Sequence, residues 1–237
     1  MRTLRLWTPI LLAAIVLTTT PFGDVARANA QGIPVDAVGR LIVDGNRLCT
    51  AFVVRSIERR STVPFGIPRV TYENWIVSAG HCFGQRLVFH LGGTKYAVTR
   101  VIAFSTGDSL GYDILVASFP TPAPAPTLEP AFGLYPQTGD TLMLIGYGGK
   151  ALMVRVDPLL EYNASGLMQI DGYASSGNSG GPVLIPGTRR VVGIEIATTV
   201  DRPSGAPSLL CVIAKCGVKP PYVAVHIDKL RGLVSVP

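Results

Sequence analysis

Residues 74–82 read NWIVSAGHC. A short run of strand formers, Trp75-Ile76-Val77, gives way to small residues and then to His81 and Cys82 side by side. The same kind of run recurs along the chain: GRLIVDG (39–45), TAFVVR (50–55), RLVFHLGG (86–93), KYAVTRVIAF (95–104), DILVASF (113–119), TLMLIGYGG (141–149), GPVLIPG (181–187) and RVVGIEIAT (190–198). Most have strand length, about 5–8 residues, and end at turn-forming residues. Long segments of helical period are missing, and only His226–Leu233 reads as a short helix. The pattern predicts an all-β sandwich or barrel. One segment breaks it. PTPAPAPTLEP (120–130) alternates proline with small residues and stays extended. It divides the chain into 31–119 and 131–237, each with enough strands for a small barrel.

Residues 1–30 lie outside this pattern. Arg2 and Arg5 precede the apolar run LLAAIVL (11–17), and Ala28-Asn29-Ala30 follows. A basic start, a short apolar stretch and an A-x-A site describe a secretory signal peptide cleaved after Ala30. The run falls short of the ~20 apolar residues of a spanning helix, so no stable membrane anchor is expected. The expected product is a secreted protein, extracellular or periplasmic, and a monomer. The formal charge is +6 without a basic stripe, which argues against nucleic-acid binding. Four cysteines, Cys49, Cys82, Cys211 and Cys216, suggest disulfides in an exported chain, and three pairings are open. With no C-x-x-C pair, and with His81, His90 and His226 completing no ligand pattern, neither a metal nor another cofactor is expected.

GYASSGNSGGPV (172–183) crowds glycines around Ser179. Such a cluster is either an ordinary turn or a contorted segment that exposes a reactive hydroxyl. Serine needs a base to become a nucleophile, and a histidine base needs an acid to fix its tautomer. His81 follows the strand NWIV, and Asp113 opens the strand DILVASF. Asp108, five residues earlier, is a competing carboxylate.

SAGHC (78–82), YDILVASF (112–119) and GNSGGPV (177–183), in that order, resemble the chymotrypsin/trypsin-like serine protease superfamily. The pattern is most similar to bacterial exported branches, including glutamyl endopeptidases, where GNSG is common. The resemblance implies two six-stranded antiparallel β-barrels with a cleft between them. It implies a catalytic His81, Asp113 and Ser179, with Asp113 preferred over Asp108 because the apolar strand follows it directly. It implies an oxyanion hole from the N–H groups of Gly177 and Ser179. It also implies a Cys49–Cys82 bridge, which leaves Cys211 and Cys216 to pair. Substrates would be proteins or peptides.

The chain departs from trypsin at two places. Asn178 stands where trypsin carries the aspartate that receives the freed N-terminal ammonium, and the expected mature start is Gln31-Gly32-Ile33-Pro34. Activation by N-terminal insertion is therefore not expected, although a short propeptide ending at a residue such as Arg40 remains open. In GIEIATT (193–199), Glu195 replaces the histidine with which glutamyl endopeptidases hold an acidic substrate side chain. Val192, Ile194 and Ile196 share one strand face, so Glu195 lies on the other, which is either the pocket or the exterior. A pocket position predicts a weak preference for a basic P1 residue, with Tyr173 and Thr198 as further substrate-binding residues. Two alternatives stay open: a non-catalytic binding protein on a protease scaffold and an esterase-like hydrolase.

Overall fold

The computed structural model describes residues 32–62, 68–106, 113–163, 165–172, 175–198 and 222–233. Seven strands form a first sheet: β1 (Val38–Val43), β2 (Arg47–Thr62), β3 (Pro68–Ser78), β4 (Leu87–Leu91), β5 (Thr94–Ala97), β6 (Arg100–Thr106) and β7 (Asp113–Thr121). Its order is β5-β4-β1-β2-β3-β7-β6, with antiparallel neighbours throughout. A second sheet holds β8 (Glu129–Pro130), β9 (Thr141–Gly146), β10 (Met153–Tyr162), β11 (Met168–Ile170), β12 (Pro182–Leu184), β13 (Arg190–Thr198) and β14 (Tyr222–His226).

The two-barrel, all-β architecture is as expected, with a difference in detail. In the second sheet six strands close on themselves, because β12 pairs with both β9 and β13, and β8 adds in parallel at the rim. The first sheet curls without a ladder joining its edge strands β5 and β6. Among the described residues the only helices are 3-10 turns, and the short C-terminal helix is one of them, Ile227–Gly232. The first sheet ends at Thr121 and the second begins at Glu129. The proline-rich segment spans the gap and is tied to both sides: Leu128 N–H donates to Val53 O at 2.7 Å and Glu129 N–H to Arg189 O at 2.9 Å.

Side-chain alternation explains why so many strands read as unbroken apolar runs. On β7, Leu115, Ala117 and Phe119 fill the first barrel, while Ile114 and Val116 face the second. On β9, Leu142 and Leu144 fill the second barrel, while Met143 and Ile145 face the first. A strand with a barrel interior on one side and another barrel on the other has no face left for water. The layer between the barrels, which includes Val38, Phe52, Val77, Ile194, Val225 and Leu230, is continuous and buried. Its rim is where the chemistry-bearing residues come together.

Candidate active site

His81 lies on a 3-10 turn (Gly80–Cys82) that follows β3 directly, and Asp113 is the first residue of β7. β3 and β7 are paired, with Ser78 opposite Leu115, so the end of one strand meets the start of the other. The Asp113 carboxylate takes two bonds from His81: backbone N–H to Oδ1 at 2.7 Å and ring Nδ1 to Oδ2 at 2.6 Å. The Asp113 side chain is 14% exposed and the His81 ring 44%. A half-open imidazole backed by a shielded carboxylate has its other nitrogen free to meet a reacting group. Nothing larger than glycine fits at position 80, where a Cβ would run into Ser105 O and Asp113 Oδ1. The turn is also gripped from β2. Arg47 donates to His81 O at 3.2 Å and to Phe83 O at 2.9 Å.

Ser179 lies in the turn before β12. Gly177 has φ +103°, and a Cβ there would collide with Tyr147 O, so only glycine serves. Among the described residues, neither Gly177 N–H nor Ser179 N–H is spent on a protein acceptor. The turn is docked across the barrel boundary, since Thr50 N–H donates to Ser179 O at 2.8 Å. The preceding residue, Cys49, is disulfide-bonded to Cys82. Adjacent residues of β2 therefore hold the loops of His81 and Ser179, and Cys82 Sγ lies 3.9 Å from Ser179 O. The sulfurs of Cys49 and Cys82 also cluster with a ring nitrogen of His81, but both are consumed in the bridge and offer no thiolate to a metal.

Glu195 does not point to solvent. It is 1% exposed on β13, and both faces of that strand are covered from Val191 to Glu195. Its backbone is bonded to the turn that carries Ser179: Gly180 N–H donates to Glu195 O at 2.7 Å and Glu195 N–H to Gly181 O at 2.9 Å. Burial pushes its carboxyl up to about 8, although the Arg155 guanidinium pulls the other way. Arg155 is itself bonded to Asp157 at 3.1 Å. Among the described residues, Glu195 Oε2, Asp157 Oδ2 and the Tyr222 hydroxyl have no hydrogen-bond partner. Nothing local in the sequence marks Arg155 or Asp157, on β10, as a neighbour of β13. Asp171 is exposed.

Asn178 is fully buried, and its amide packs against Gly146 and Gly148, where any Cβ would meet Asn178 Oδ1. A neutral amide here requires no cation. A propeptide ending at Arg40 would place the cut inside β1. His226 is a buried structural residue: Nε2 donates to Leu134 O at 2.9 Å and Nδ1 accepts from Asp228 N–H at 3.2 Å. Thr198 ends β13 opposite Tyr222. Tyr173, Asp108, Cys211, Cys216 and the N-terminal leader lie outside the described residues.

A family model for the trypsin-like peptidase domain matches residues 49–194, more than half of the chain. The chain belongs to the trypsin-like peptidase family. The expected trypsin-like fold and peptidase family are met. Solved structures similar to this peptidase include the serine endoprotease from Yersinia pestis, at TM-score 0.61 and 13% identity. That match covers 91% of this chain and 65% of the Yersinia one, so the peptidase falls just short of two thirds of its length. Rv3671c from M. tuberculosis, in an inactive form, matches at TM-score 0.60 and 13% identity over 93% of this chain and 96% of that one. The MamO protease domain from Magnetospirillum magneticum matches at TM-score 0.60 and 15% identity over 85% and 97%. At these identities the likeness is one of fold. No curated protein matches the peptidase.

Proposed function

We propose that this chain is an exported serine endopeptidase that cleaves peptide bonds through an acyl-enzyme. Ser179 Oγ attacks the scissile carbonyl while His81 takes its proton, and His81 returns that proton to the leaving amine. Asp113 holds the Nδ1–H tautomer and stabilises the imidazolium. The N–H groups of Gly177 and Ser179 receive the oxyanion, where each such donor contributes on the order of 3 kcal/mol. Water then releases the acyl group by the same steps in reverse. No resident cofactor takes part.

One observation carries this reading. Cys49 and Thr50, consecutive on one rigid strand, fasten the histidine loop by a disulfide and the serine loop by a hydrogen bond. The bare signature at residues 1–30 supports export, and the bridge suits an oxidising compartment. Glu195, enclosed beside the serine turn, supports a weak preference for Arg or Lys at P1.

The test is labelling of the exported, processed chain by a fluorophosphonate, with Ser179→Ala beside it, and N-terminal sequencing of the same sample. Labelling confined to wild type, together with cleavage of peptide substrates, supports the reading. A folded wild type that does not label points to a binding protein instead, and labelling with turnover of esters but not peptides points to an esterase.

A further inference from the structure

Thr50 makes four hydrogen bonds and is fully buried. Its N–H donates to Ser179 O at 2.8 Å. Its hydroxyl donates to Gly177 O at 2.7 Å and accepts from Tyr147 N–H at 2.9 Å. Its carbonyl accepts from Ser78 Oγ at 2.7 Å, three residues before His81. One residue of the first barrel thus binds the serine turn of the second barrel twice, on either side of Asn178-Ser179, and also binds the strand that ends at the histidine.

The two contacts with the serine turn differ in kind. The N–H bond to Ser179 O is available to any residue but proline. The bond to Gly177 O needs a hydroxyl, and it acts where the chain is freest. Gly177 sits at φ +103° with no side chain to restrict it, so the peptide after it depends on what fastens its two ends. Its Asn178 N–H donates to Ser175 O at 3.0 Å, and its carbonyl end is held from the first barrel by Thr50. The carbonyl before Gly177, Ser176 O, is held separately by Gly149 N–H at 3.1 Å. Tyr147 N–H occupies a lone pair of the Thr50 hydroxyl, and the hydroxyl proton goes to Gly177 O.

We propose that Thr50 is a positioning residue of the active site: its hydroxyl fixes the peptide between Gly177 and Asn178, which links the two oxyanion donors, and with it their relative aim and that of Ser179 Oγ. This rests on the function proposed above. Misplacing reacting groups by about 1 Å can slow an enzyme on the order of 10²-fold. The loss is one of rate, because the donors it aims act on the oxyanion of the transition state rather than on the ground-state substrate.

The test compares Thr50→Val, which keeps the shape and removes the hydroxyl, with Thr50→Ser, which keeps the hydroxyl. Thr121→Val is the stability control, since Thr121 accepts from Asn74 Nδ2 at 2.7 Å in a buried part of the first sheet. The readouts are the fluorophosphonate labelling rate and the separate kcat and KM of a peptide substrate, taken well below each melting temperature. We expect Thr50→Val to lose about 10²-fold in labelling and in kcat with KM nearly unchanged. Thr50→Ser should stay near wild type, and Thr121→Val should lose stability but not rate. Where Thr50→Val gives no folded protein, Thr50→Ala carries the same comparison. Labelling of either hydroxyl-free variant at the wild-type rate, or a loss no greater than that of Thr121→Val, overturns the proposal. A wild type that does not label overturns the functional reading and this inference with it.

Discussion

His81 and Asp113 are joined twice: the carboxylate takes the backbone N–H of the histidine on one oxygen and its ring Nδ1 on the other. The two bonds have separate consequences. The backbone bond places the turn, and the ring bond chooses the tautomer. Asp113→Asn retains an acceptor for the backbone N–H but cannot accept equivalently from the ring while keeping that bond. The expected outcome is a loss of kcat on the order of 10⁴-fold, with a melting temperature close to wild type. A variant within tenfold of wild type in kcat at neutral pH would count against the assignment of Asp113.

The Cys49–Cys82 bridge closes a loop with a sequence separation of 33. In the chain-entropy model a loop of that length contributes roughly 3–4 kcal/mol. Replacing both cysteines by serine should lower stability by that order. It should also reduce the labelling rate at temperatures where the variant is folded, because the residue next to His81 loses its covalent tether. Denaturant titration and labelling rates measure the two effects separately.

Glu195 makes stability depend on pH in a defined direction. Its carboxyl is raised from an ordinary 4.5 to about 8 by burial. The folded protein therefore holds a proton that the unfolded chain releases between those values. The group's contribution is fully present below pH 4.5 and is lost as pH rises toward about 8, by up to roughly 4 kcal/mol. Glu195→Gln cannot ionise. Its melting temperature relative to wild type should rise steadily from pH 4.5 to 8, and a difference independent of pH would refute the buried acid.

The same titration bears on specificity. In the proposed pocket role, a neutral Glu195 would attract a basic P1 side chain weakly, and an ionised one strongly. The ratio of kcat/KM for Arg over Ala at P1 should increase as pH passes through about 8. Glu195→Gln should flatten it. A library profile in which acidic P1 residues are best would eliminate the basic preference.

Asn178 is buried against Gly146 and Gly148, with no charge in need of a partner. Asn178→Asp would place a carboxylate in that enclosed site, at a cost of several kcal/mol unless it takes up a proton. The expected result is a lower melting temperature at pH 8 than at pH 5, relative to wild type. An N-terminal extension of the processed chain should leave activity intact. If one extra residue abolishes labelling, insertion of the N-terminus operates after all.

Much of this protein was determined by its sequence alone. Short runs of Val, Ile, Leu and Phe, of strand length and bounded by turn residues, made it all-β, and the chemistry of serine, histidine and aspartate at SAGHC, YDILVASF and GNSGGPV picked out the candidate site. Those signals are local, so they are written within a few residues. The tertiary structure decided what depends on chain-distant neighbours. Strand parity put Glu195 opposite Ile194 but could not say what covers its face, and packing of the strand between two layers buried it. The hydroxyl of Thr50 meets the carbonyl of Gly177 across 127 residues. A carbonyl is common to every residue, so no pattern of side chains announces which one a distant threonine will hold.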